Sequence, residues 1–140
     1  DAVCGPVTYD LVSLLKDCYI EWPPQQVQQW ALHYRELAVQ ARVLEAVYSP
    51  QHWLHDFDLM GAQRHLKILG IFSRLWLRDG KPGYLKDIPL TMRYLLGILS
   101  GHKQLADFSV WLQERVLPNL DAALQRCLDE SLAASAGKQA

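Results

Sequence analysis

Apolar residues recur along the chain at intervals of three and four, and no stretch alternates over a useful length, so the pattern predicts helices throughout and no strand. Gly5-Pro6 marks a turn. Thr8 stands where it would cap a first helix, whose Leu11, Leu14, Leu15 and Cys18 share a face until Trp22-Pro23-Pro24 stops it. Pro24 suits a first helical position, and Val27, Trp30, Ala31, Tyr34, Ala38, Ala41, Leu44 and Tyr48 make a second stripe, long enough to bend or break near its middle. Ser49 caps and Pro50 opens a third helix that reaches Asp79, where Gly80 supplies a stop. Asp87 caps a fourth helix through Leu99. Two more are expected at Leu105 to Val116 and Pro118 to Ala133, followed by a disordered tail over 134–140.

The third helix is the longest, and its residues can be placed by turning about 100° per position. Trp53, Phe57, Met60, Ile68, Ile71 and Leu75 form one stripe, Leu59, Leu66 and Leu77 lie almost opposite, and Leu69 and Trp76 fill a third sector. A helix that is apolar all round is expected to be central and surrounded. The predicted class is therefore all-α, with about six helices around one long central helix. Gly61 and Gly70 each weaken a helix by about 1 kcal/mol relative to Ala, which suggests close approach of another backbone. Arg64 falls inside the apolar stripe, where a guanidinium must find a carboxylate or carbonyl partner, Asp10 or Asp17 being candidates, or snorkel out. Asp56, Gln63, Lys67 and Arg74 make the continuous polar strip. On the first helix, Asp10, Ser13 and Asp17 share a face that reads either as solvated or as one wall of a cleft.

Composition narrows the class of partner. The chain has 140 residues, half of them apolar, which is enough for one compact domain. Fourteen basic and fifteen acidic residues leave a net charge of -1, without the electrostatic footprint that nucleic acids or anionic membranes select. Apolar runs such as Ile68 to Phe72 fall far short of the roughly 20 residues needed to cross a bilayer. Neither partner is expected. Cys4, Cys18 and Cys127 are odd in number and widely spaced, which fits a reducing cytoplasm. The opening Asp1-Ala2-Val3-Cys4-Gly5-Pro6 reads as the middle of a polypeptide.

Chemistry-bearing motifs are sparse. His52 and His55 stand beside Asp56 and Asp58, but a structural zinc site needs four convergent ligands and no HExxH is present, so no metal is expected in this chain. His65 beside an apolar sector reads as a hydrogen-bonded packing residue. The sequence holds no GxSxG elbow, phosphate-cradling glycine loop or HxD catalytic loop.

Two blocks carry a family likeness. Residues 1–15, Asp-Ala-Val-Cys-Gly-Pro-Val-Thr-Tyr-Asp-Leu-Val-Ser-Leu-Leu, resemble the segment after the magnesium-binding aspartate in the aminoglycoside phosphotransferase family. Residues 57–72, Phe-Asp-Leu-Met-Gly-Ala-Gln-Arg-His-Leu-Lys-Ile-Leu-Gly-Ile-Phe, resemble a narrower branch, the bacterial anomeric kinases that act on N-acetylmuramate and N-acetylglucosamine in cell-wall recycling. The likeness covers residues 1 to 100. It implies that residues 1–133 are the helical C-lobe of a protein-kinase-like fold, in which ATP and magnesium are held by an N-terminal part of the same protein. This chain alone would be inactive and bind neither.

In the family, the residue matched by Asp10 braces the catalytic loop, and C-lobe helices form the acceptor pocket. The side chains here that suit a sugar acceptor are Asp17, Tyr19, Trp22, Gln63, Arg64 and Lys67, with Arg64 or Lys67 facing an N-acetylmuramate carboxylate. An aminoglycoside is the alternative acceptor. A helical interaction or scaffold domain is the alternative of another class, marked by an exposed apolar patch.

Overall fold

The computed structural model describes residues 5–136, with side chains to residue 133. Among the described residues six α-helices follow in order: α1 (Thr8–Leu15), α2 (Pro24–Gln40), α3 (Pro50–Asp79), α4 (Ile88–Ser100), α5 (Ala106–Trp111) and α6 (Leu117–Ala136). The described residues contain no strand, as the spacing of apolar positions predicts. No helix among them is long and apolar enough to cross a membrane. Cys4 and residues 137–140 of the expected tail lie outside the described residues, and α6 continues through Ala136. Contacts group the chain into two compact units divided between Leu66 and Lys67, with α3 contributing to both.

In the first unit, Leu11, Val12, Leu15, Val27, Ala31, Trp53 and Phe57 form the core, with Trp30, Leu44, Tyr48 and Met60 packed against it. The Trp53 indole is wholly buried, and its N–H donates to the Ala31 carbonyl at 2.8 Å, so the polar edge of this large side chain is satisfied. Helix α1 is shorter than the apolar spacing predicts. It ends at Leu15, where Lys16 leaves helical geometry (φ -121, ψ 47), and Asp17 lies in the connection beyond it. The Asp17 carboxylate accepts the Tyr19 N–H at 3.4 Å, the local competition with helical bonding that short acidic side chains provide. Asp10 and Asp17 therefore do not share a helical face. Val7, not Thr8, occupies the cap position, and Thr8 is buried as the first helical residue.

Helix α2 stops well before Tyr48, and the stop is a reversal rather than a bend. Arg42 adopts φ 58, its N–H donates to Val39 O at 3.0 Å, and the Val43 N–H donates to Ala38 O at 2.9 Å. This is the paired bonding of a Schellman termination, here without the usual glycine. Arg35 then fixes the connection to α3 by donating from Nε to Tyr48 O at 2.8 Å and from Nη2 to Ala46 O at 3.3 Å.

Helix α3 has the predicted bounds. Ser49 Oγ accepts the His52 N–H at 3.2 Å, and Gly80, at φ 61, ends the helix in the left-handed region that glycine tolerates. Its buried face is narrower than expected and turned by about one residue. Trp53, Phe57, Gly61, His65, Ile68 and Phe72 are buried, whereas Leu66 and Leu77 are exposed, so the described residues do not cover α3 on every side. A Cβ at Gly70 would meet nothing within 4 Å, and no backbone approaches there among the described residues.

In the second unit, α4 buries Ile88, Thr91, Met92, Leu95, Ile98 and Leu99, one stripe at helical spacing. A 3-10 turn over Pro82–Asp87 leads into it, and Tyr84 of that turn stacks on Phe72 at 5.3 Å. Asp87 stands at the cap position without a side-chain cap; its carbonyl instead accepts the Thr91 hydroxyl at 2.8 Å. The predicted break at Pro118 is absorbed within a continuous helical path, because a π-helical turn over Leu112–Val116 joins α5 to α6. Pro118 has no N–H, and its ring would crowd the carbonyl four residues back. A wider turn ahead of it accommodates both.

Candidate functional site

The apolar stripe of α1 continues one step past the helix, and that step carries Lys16 into the interior. Only 9% of Lys16 is exposed, which would be costly for a bare ammonium. Its Nζ lies 2.7 Å from Asp58 Oδ1 and 4.8 Å from the centroid of the Phe57 ring, so a carboxylate and an aromatic face replace lost water. The main chain of the same residue is also held. His65 Nε2 lies 3.2 Å from the Lys16 carbonyl, and because a carbonyl can only accept, Nε2 carries the proton. Asp58 and His65 are seven residues apart on α3, two turns along one face.

His65 is wholly buried, as a hydrogen-bonded packing residue should be. Burial lowers its pKa to about 4; the Lys16 carbonyl opposes the shift, and the Lys16 and Arg64 charges add to it. The imidazole is therefore neutral near neutral pH.

Sequence reasoning did not single out Lys16 or Asp58 as a pair. The available signal was the position of Lys16 four residues after the buried Val12, where a lysine must either snorkel or find a carboxylate.

The residues that the sequence singled out fall into separate places. Asp10 is exposed in the first turn of α1, where a carboxylate complements the helix dipole. Asp17, Tyr19 and Trp22 all lie in the connection between α1 and α2. Asp17 is half-buried, Tyr19 and Trp22 are exposed, and the Trp22 ring meets Trp30 edge-on at 5.3 Å. Gln63 and Arg64 lie on α3 in the first unit, Gln63 exposed and Arg64 half-buried; Lys67 is exposed at the start of the second unit. Arg64 does not pair with Asp10 or Asp17. Its guanidinium lies over the Tyr9 ring, 5.7 Å from the centroid, and its buried Nε has no hydrogen-bond partner among the described residues. Loss of the shared Asp10/Asp17 face removes the expected carboxylate. Within the first unit, the Lys16–His65 bond ties the residue before Asp17 to the residue after Arg64.

Among the described residues, no three His, Cys, Asp or Glu side chains converge as metal ligands. Two of the carboxylates near His52 and His55 are engaged elsewhere. Asp58 binds Lys16, and Asp56 accepts the Tyr48 hydroxyl, whose pKa is pushed up to about 12 by burial and by that carboxylate.

No family model and no solved structure matches the chain. Three curated relatives are all named N-acetylmuramate/N-acetylglucosamine kinase. The protein from Pseudomonas putida is 41% identical over 115 residues, 81% of this chain and 33% of the relative. That from Pseudomonas aeruginosa is 43% identical over 107 residues, 76% and 31% respectively, and that from Neisseria meningitidis serogroup B is 43% identical over 118 residues, 83% and 34%. The chain thus spans about a third of the length of the curated relatives it matches, and over that third it is similar to proteins named as amino-sugar kinases.

Proposed function

We propose that this chain is the acceptor-binding part of an ATP-dependent phosphotransferase that phosphorylates the anomeric hydroxyl of N-acetylmuramate or N-acetylglucosamine in cell-wall recycling. The observation that carries the proposal is the run of relatives bearing that kinase name at 41–43% identity across most of this chain. The fold assigned is the helical C-lobe of a protein-kinase-like enzyme of the aminoglycoside phosphotransferase family, working in the cytoplasm.

In this reading Asp17, Tyr19, Trp22, Gln63, Arg64 and Lys67 recognise the acceptor. Carboxylate and amide groups take the sugar hydroxyls, the exposed rings of Tyr19 and Trp22 cover its apolar faces, and Arg64 or Lys67 meets the carboxylate that N-acetylmuramate carries. Asp10 supports the catalytic loop from below. ATP and magnesium are the co-substrate and metal that a kinase requires. The described residues hold no convergent set of three acidic or nitrogen ligands for a metal ion. Those groups are assigned to an ATP-binding part of the same protein, and the exposed Val7 at the cap of α1 and Leu14 within that helix offer the apolar surface such a contact covers.

The test is turnover by the full-length protein with ATP and each amino sugar, followed by phosphorus NMR of the product. An anomeric phosphate is expected from both sugars. Phosphorylation of an aminoglycoside instead of either sugar, or no nucleotide-dependent transfer at all, would sink the proposal. The 140-residue chain alone should show no micromolar binding of ATP by calorimetry.

A further inference from the structure

We infer that His65, with Asp58, is a positioning residue for the acceptor: together they hold the connection between α1 and α2 by its first residue and so place Asp17, Tyr19 and Trp22. The inference rests on the proposed acceptor role of those three side chains.

The connection leaves α1 at Lys16 and enters α2 at Pro24, and the residues between expose Tyr19, Ile20 and Trp22. A short irregular segment with that much exposed aromatic surface needs an anchor if its rings are to meet a ligand in a fixed place. Beside the buried Cys18 and the edge-on contact of Trp22 with Trp30, the anchor at its base is double. His65 Nε2 donates to the Lys16 carbonyl at 3.2 Å, fixing the main chain, and Asp58 takes the Lys16 ammonium at 2.7 Å, fixing the side chain. Both partners project from α3, whose residues 50–66 build the same core as α1.

His65 is wholly buried and Lys16 nearly so, which makes the anchor rigid; Asp58 is partly exposed, and an amide in its place can still accept from the Lys16 ammonium while losing the charge. Burial also keeps the imidazole uncharged, the state in which a single N–H can be aimed at one carbonyl. None of the anchor groups needs to touch the sugar.

The experiment uses the full-length protein and four variants: His65→Leu, which removes the donor and keeps the bulk; His65→Gln, which keeps a donor; Lys16→Met; and Asp58→Asn. The Michaelis constants for amino sugar and for ATP are measured with kcat and the thermal midpoint. His65→Leu is expected to raise the sugar constant about tenfold while the ATP constant stays within about twofold, and His65→Gln to recover most of the loss. Lys16→Met and Asp58→Asn should give a smaller rise of the same kind, and they keep the test open if His65→Leu does not fold.

Hydrogen exchange reads the anchor without reference to activity. Amides of residues 17–22 should exchange faster in His65→Leu, or in Lys16→Met where that variant alone folds, while those of α2 do not. Unchanged exchange in that segment, or sugar and ATP constants rising together, overturns the inference. A protein that turns over neither sugar yet shows the exchange result removes the proposed function and leaves the anchor.

Discussion

His65 Nε2 donates to the main-chain carbonyl of Lys16 across 3.2 Å, in a setting where the imidazole has no exposed surface. Burial lowers its pKa to about 4. An unfolded chain, with an ordinary histidine near about 6.5, therefore takes up the proton first as the pH falls. The stability contributed by neutral His65 is complete above about pH 6.5 and is lost between there and about pH 4, to a limit of about 3 kcal/mol. Denaturant midpoints should fall across that window, and fall less in His65→Gln, which has no imidazole to titrate. Equal pH dependence in the two proteins would remove His65 as the cause.

Arg42 closes α2 in a conformation that suits glycine, at φ 58, with the Arg42 and Val43 N–H groups bonded back to Val39 and Ala38. A side chain in the left-handed region costs about 1 kcal/mol. Arg42→Gly should keep both bonds and raise stability by about that amount, less the added freedom of the unfolded glycine. A lower thermal midpoint would mean that the arginine side chain contributes more than its backbone costs.

Element type was legible wherever apolar spacing and punctuation agreed. Ser49-Pro50 and Gly80 bracket α3 because a hydroxyl cap, a proline at the first turn and a left-handed glycine all act locally. The end of α1 was not legible. Nothing in its periodicity marks Leu15 as the last residue, since what draws Lys16 out of the helix is bonding to Asp58 and His65, more than 40 residues away. Asp17 consequently left the face it was expected to share with Asp10. The π-helical turn before Pro118 has the same character: a proline signals a break, and whether the backbone stops or widens depends on what its neighbours bury. The anchor at Lys16 was not legible either, because both of its partners lie on α3, far along the chain.

Gly70 lies inside α3, exposed, with open space around the position of a Cβ. Gly70→Ala should therefore stabilise the helix by about 0.5 to 1 kcal/mol, because alanine loses less backbone entropy and clashes with nothing. Calorimetric melting of the variant checks this. A fall in the midpoint in the full-length protein would instead indicate that another segment packs against that glycine.

Arg64 offers the sharpest separation between a structural and a binding role. Paired with a buried carboxylate, its removal would cost about 3 to 5 kcal/mol. No such carboxylate reaches it among the described residues, and the guanidinium lies over the Tyr9 ring with a buried Nε that has no hydrogen-bond partner. Arg64→Ala therefore loses a cation–π contact and some packing of the stem, while relieving a desolvated donor, for a net cost of about 1 kcal/mol. Arg64→Lys keeps a cation near the ring and should cost less still. The acceptor reading predicts a different pattern in kinetics. Alanine should raise the Michaelis constant for N-acetylmuramate more than that for N-acetylglucosamine, because only the former carries a carboxylate for the guanidinium to meet. Lysine should fall between, since an ammonium meets a carboxylate as a point charge and lacks the planar fork. If both sugar constants stay at the wild-type value while the midpoint falls by the small amount expected, Arg64 supports Tyr9 and the start of α1, and the carboxylate-recognising role passes to Lys67.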